Sequence, residues 1–200
     1  MDIRDTVLHG TALKRHSEPS EIAGIVGLPL ETVERELARS VETGRAVMHN
    51  DRYALTPLTD VALRSRYSLH YGELREIPAF VQPYEAFERV NISLKQVITD
   101  WQTMSVGGKK VANDHSDPDY DAEIIDRLGA VHEQVEPIIK RLAAQLPRLA
   151  IFGKKLLAAL EAAEDGDHEW VSDIRRESYH TVWFELHEDL LRIMGRERQE

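Results

Sequence analysis

The chain has 200 residues, 42% hydrophobic and 30% charged, with a formal net charge of −10 and no cysteine. This is the composition of a globular protein of one large or two small domains, and it excludes a disulfide framework, a thiolate nucleophile and a cysteine-ligated zinc. No apolar run approaches the ~20 residues of a membrane span, and the acidic, polar N-terminus carries no signal-peptide core, so a cytoplasmic location and no membrane partner are expected.

In chain order, Ile3 to Leu13 carries Ile3, Val7, Leu8, Ala12 and Leu13 at helical intervals. Ser20 is placed to cap a short helix, Glu21 to Val26, which Gly27 breaks. Pro29 then stands where its missing N–H is harmless, at the start of a second helix from about Leu30 to Thr43. On that helix Leu30, Val33, Leu37 and Val41 share a docking side, and Thr32, Arg35 and Arg39 line the other. After Gly44, two extended runs, Arg45 to Met48 and Arg52 to Thr56, flank His49-Asn50-Asp51, which is hairpin turn chemistry. A further helix, about Leu58 to Tyr71, follows, and Gly72 and Pro78 mark a boundary between domains at 1–72 and 78–200.

The second half has no strand pattern. Four amphipathic helices are expected there: Phe80 to about Met104, Asp119 to Leu146, Leu149 to Ala163, and one capped by Ser172 that runs to about Met194. Ser105 to Pro118 reads as a loop with a Gly107-Gly108 turn. The fold class is therefore mainly α: an N-terminal winged helix-turn-helix with a short β-hairpin, then a C-terminal antiparallel helical bundle.

The helix, turn, helix and hairpin of residues 20–56 resemble the winged helix-turn-helix of MarR-type bacterial regulators. The resemblance implies that the second helix enters the major groove of double-stranded DNA while the hairpin tip reaches backbone or minor groove. It marks Thr32, Arg35 and Arg39 on the helix, and His49, Asn50 and Arg52 on the hairpin, as DNA-binding candidates. Beyond that module, Asp100-Trp101-Gln102, Asn113-Asp114-His115, Tyr120-Asp121, Arg127-Leu128, Leu146-Pro147-Arg148 and above all the run from Ser178 to Leu191 are similar to winged-helix transcriptional regulators of an actinobacterial type. A transcriptional regulator that acts as a homodimer is what this implies, with the 78–200 bundle as its dimerisation and possible effector domain.

Charge opposes that reading. Residues 1–70 hold 9 Lys/Arg and 10 Asp/Glu, and the remaining 16 and 25 make the second half strongly acidic. A polyanion would be repelled unless a local basic strip, doubled in a dimer, does the binding. Glu31, Glu34 and Glu36 stand close to Arg35, and Glu31 is placed to pair with it four residues on. A protein-interaction or sensory module that does not bind DNA is the alternative.

In the bundle, Asn91, His132, His180 and His187 fall on apolar faces, with Trp101, Tyr179 and Trp183 as aromatic neighbours. Buried imidazoles and amides must find partners. Two readings stand: a satisfied interior network, or the walls of a small-molecule effector site. His180 and His187 lie seven residues, roughly 10 Å, apart on one helix, the wrong spacing to grip one ion, so no metal is expected. Asp117 to Asp121 lacks the glycine and the final glutamate of a calcium loop, and Gly107-Gly108-Lys109-Lys110 lacks the spacing of a phosphate loop. No nucleophile elbow, zinc-protease motif or dinucleotide fingerprint occurs, so neither an enzyme nor a cofactor is expected.

Overall fold

The computed structural model describes residues 1–197. The chain is mainly helical, with two small two-stranded antiparallel sheets. It divides into two compact units: residues 1–77 together with the chain from Glu185 onward, and residues 78–184. The last helix, expected wholly in the second half, contributes its turns from Glu185 on to the first unit. No helix among the described residues is long and apolar enough to cross a membrane.

The first unit opens with α1 (Ile3–Lys14), α2 (Pro19–Val26) and α3 (Leu30–Glu42), followed by β1 (Ala46–His49), β2 (Arg52–Leu55) and α4 (Pro57–Tyr71). α2 begins earlier than Ser20 would allow. Pro19 takes the first helical position and Glu18 is the N-cap, its backbone N–H donating to Glu21 Oε2 at 2.8 Å. Gly27, at φ +69°, ends the helix in the left-handed conformation that glycine adopts without strain. α3 buries Val33 and Leu37 completely, but Leu30 and Val41, expected on the same docking side, are exposed because they sit at the two ends of the helix, beyond its contact.

β1 and β2 pair from Ala46↔Leu55 to His49↔Arg52, and Asn50 and Asp51 both take positive φ, the requirement of a two-residue hairpin turn. Ser17 adds a short third pairing through two backbone bonds to Tyr53, at 3.2 and 2.8 Å, which ties the entry of α2 to the hairpin. The core of this unit gathers Val7, Leu8, Leu13, Ile22, Val33, Leu37, Leu63 and Tyr67 with Leu186, Leu190 and Ile193.

The second unit is a helical bundle of α5 (Pro78–Gln102), α6 (Pro118–Gln145), α7 (Ala150–Glu164), the one-turn α8 (Glu169–Ser172) and the start of α9 (Tyr179–Met194). Two local expectations are corrected. Residues 103–112, read as the end of a helix and a loop, form a hairpin of β3 (Thr103–Val106) and β4 (Lys109–Ala112) around Gly107 and Gly108, both at positive φ. All four residues of β4 are exposed, so no buried face existed to imprint an alternating pattern. The last helix starts at Tyr179 rather than near Ser172. Asp173 closes a turn by accepting from the Arg175 backbone N–H at 2.8 Å and from its guanidinium, bonds that hold the Asp173 carboxyl down at about 2. Ser178 Oγ then accepts from the Thr181 N–H as the cap.

Candidate nucleic-acid interface

α3 and the hairpin share one side of the first unit. Outward from α3 stand Glu31, Glu34, Arg35, Ala38, Arg39 and Glu42, all exposed, while Thr32 is half-buried. The anticipated Glu31 to Arg35 pair is not formed: Arg35 makes no ion pair among the described residues, and Arg39 instead reaches Glu36 Oε1 at 3.3 Å. That contact is solvent-exposed on the Arg39 side, where such pairs contribute ~0–1 kcal/mol, so the guanidinium is readily surrendered to a phosphate or base edge.

At the hairpin tip His49 and Asn50 are exposed. Arg52 is engaged by the protein itself. Its guanidinium donates to the His16 carbonyl at 3.2 Å and to Glu18 Oε1 at 3.3 Å, and lies 3.6 Å from Glu21 Oε2. It braces the hairpin against the start of α2, a role invisible in the sequence because 34 positions separate Arg52 from Glu18. Between the tip and the starts of α2 and α3 lies an open concavity of about 390 Å³, lined by Glu18, Ser20, Leu30, Glu34, Asn50 and Asp51 together with Pro19. Three carboxylates and no cation line it.

The interior polar residues of the second unit find one another. Trp183 Nε1 donates to Asn91 Oδ1 at 2.9 Å, and the Tyr179 hydroxyl lies 3.2 Å from His132 Nδ1. Trp183 stacks between Phe87 and Tyr179, with ring centroids at 4.8 and 6.1 Å. Four of the effector-site candidates are thus brought together as hydrogen-bonded pairs. His180 is half-buried at the start of α9, and His187 is buried in the first unit.

Burial holds the His132 imidazole below its usual range, against the opposing pull of Glu136. Unfolded, the same ring titrates near its ordinary ~6.5. Because its folded value is lowered, its neutral form favours the fold fully above ~6.5, and that stability is lost as pH falls from there toward the folded value. Thermal unfolding between pH 7.5 and 5 should therefore show the wild-type midpoint falling more steeply than that of His132→Gln; parallel curves would contradict the assignment.

Trp101 packs elsewhere, in a cluster the sequence analysis did not assemble. Its ring lies 4.5 Å from that of His115 and 5.6 Å from that of His168. Both imidazoles turn Nδ1 toward the buried Asp121 carboxylate, at 2.9 and 4.0 Å, and Asn113 Nδ2 donates to its other oxygen at 2.9 Å. Asn113 also donates to the Trp101 carbonyl, so the cluster fastens the base of the β3–β4 hairpin to the ends of α5 and α6. The signal was the polar density of Asn113-Asp114-His115 and Tyr120-Asp121. It was hidden because an acid in a first helical turn is ordinarily solvated. No family model, curated protein or solved structure matches the chain.

Proposed function

We propose that residues 1–77 form a winged helix-turn-helix that binds double-stranded DNA, with α3 as the recognition helix and the β1–β2 hairpin as the wing. On this reading the protein is a MarR-like transcriptional regulator acting as a homodimer, without catalytic activity of its own. The observation that carries it is the outward presentation of Arg35 and Arg39, one helical turn apart on the exposed side of α3, beside a hairpin whose tip is also exposed. Arg35, Arg39 and Thr32 would meet base edges and phosphates in the major groove, with His49 and Asn50 at the flanking backbone. Arg52 would act indirectly, by fixing the wing.

The acidic bundle would be the sensory part. A small molecule bound near Asn91, His132, Tyr179 and Trp183 would have to replace the hydrogen bonds those residues now make to one another, and so would favour a different packing of the bundle. A changed separation of the two recognition helices would then no longer match successive half-sites.

A second reading is favoured by the carboxylate-lined concavity between α2, α3 and the hairpin tip: a module that docks a cationic protein segment and leaves DNA alone. Electrophoretic mobility shift with duplex from upstream of the protein's own gene separates the two. A complex at low salt that is lost in Arg35→Ala/Arg39→Ala supports the regulator. No shift even at low salt supports the protein-docking module.

A further inference from the structure

We propose, resting on the homodimer of the reading above, that the outer face of α4 is a twofold contact surface for a second copy of this chain. The face is apolar and unusually bare: Leu58 is 80%, Val61 62% and Leu69 85% exposed, with Ala62 and Ser65 exposed between them. At ~100° per residue these five positions fall within one stripe along the helix. From Leu58 to Leu69 the stripe is roughly 16 Å long on a helix of 15 residues.

Its pattern is self-complementary. Under a twofold axis through the midpoint of Leu63 and Arg64, the helix runs antiparallel to its mate. Leu58 then falls opposite the partner's Leu69 and Ala62 opposite the partner's Ser65, while Val61 falls opposite the partner's Arg66, outside the matched pairs. Small residues at the centre let the two backbones approach, and large ones close the ends. A contact in which residue i meets j while j meets i is what an isologous interface requires, and a heterologous partner imposes no such symmetry.

The relief of the surface obeys the same symmetry. Beside the N-terminal end of the stripe is a groove of about 250 Å³ whose lining includes Leu58, Ala62, Thr43 and Gly44. A side chain added at Gly44 would meet nothing within 4 Å. The protruding Leu69 lies at the opposite end, so each copy offers a knob where the other offers a hole.

Charge does not oppose the contact. Arg64 is neutralised within each copy by Asp60 at 2.9 Å and Arg66 by Asp5, and Arg45 and Arg66, which also line the groove, would meet only the partner's uncharged Leu69. One helix against one helix nevertheless covers less than the ~800 Å² per partner of a standard stable interface, so reversible association at micromolar concentration is expected.

Sedimentation velocity of the full chain without DNA, across a concentration series, tests this independently of the DNA-binding reading. The wild type should pass from monomer to dimer, and Leu69→Lys, which sets an ammonium beside Arg45 and Arg66 of the groove, should raise the dissociation constant at least about tenfold. Because position 58 faces position 69 of the mate, Leu58→Glu should also weaken pairing, and the double variant Leu58→Glu/Leu69→Lys should restore it by placing opposite charges in contact twice. A control, Ile92→Glu on the exposed face of α5, should leave pairing unchanged. A wild type that stays monomeric at several hundred micromolar overturns the proposal. So does a dimer that Leu69→Lys leaves intact, or a double variant no better than the singles. Circular dichroism of each variant checks that loss of pairing is not loss of fold.

Discussion

Lys14→Met should cost about 3–5 kcal/mol of stability, the loss expected when one member of a buried ion pair is removed. Lys14 Nζ lies 2.9 Å from Glu185 Oε1, and the two side chains are only 4% and 6% exposed. Removing the ammonium takes a counter-charge at 2.9 Å from a carboxylate that water barely reaches, and the low local dielectric that strengthens the pair makes that loss costly. The pair is one of several that join the ends of the chain within the first unit. His9 presents Nε2 to Asp189 at 3.1 Å and Nδ1 to the Tyr67 hydroxyl at 2.8 Å, and Arg192 bonds Asp60 and Glu188.

The double variant Lys14→Met/Glu185→Leu should recover most of the loss, since replacing both members of a buried pair by apolar groups of similar size is often neutral or better. Urea unfolding followed by circular dichroism measures both. A single variant costing under ~1 kcal/mol would mean that the pair is solvated and that α9 is not anchored through it.

Gly10→Val should cost about 3 kcal/mol, and it should also disturb the position of α3. A side chain at Gly10 would put its Cβ 2.4 Å from Val26 Cγ1 and 3.0 Å from Ile22 Cγ2, both in the α1–α2 contact. Those neighbours are branched, buried core side chains, stiff at χ1. Any mid-helix replacement of glycine by a better helix former gains at most ~1 kcal/mol, so overpacking wins. The strain falls on α2, which sets the turn into α3, so any DNA affinity should drop alongside the melting temperature. A variant as stable as wild type would show that α1 and α2 do not approach this closely.

The organisation of the first unit was legible because its signals are local. Pro29, Gly44 and the His49-Asn50-Asp51 turn each act on the backbone within a few residues, and the helical period of Val33 and Leu37 marks a docked stripe. Even there, the cap of α2 lay two residues earlier than Ser20 suggested, since Pro19 and the Glu18–Glu21 exchange begin the helix first. What the sequence concealed is pairing at a distance. Lys14 with Glu185, Arg52 with Glu18, and Asn91 with Trp183 are ordinary polar positions until the fold joins them.

The same limit shaped the candidate sites. Trp101 shares an amphipathic face of α5 with Asn91, and periodicity alone groups the two. In the fold, Trp101 meets His115 and His168 around Asp121, while Asn91 meets Trp183. The last helix looked uniform because its apolar positions keep a single period from Tyr179 to Met194. Its division between two cores depends on what packs against each turn, and no periodicity reports that.

The most direct test of the central proposal is the affinity of the protein for a fluorescent duplex, measured by anisotropy from 50 to 200 mM salt. Binding should weaken linearly on logarithmic axes, with a slope of about −0.9 for each phosphate neutralised, and Arg35→Ala/Arg39→Ala should lose both affinity and part of that slope. Absence of binding at the lowest salt, or binding that the double substitution leaves untouched, would contradict α3 as a recognition helix.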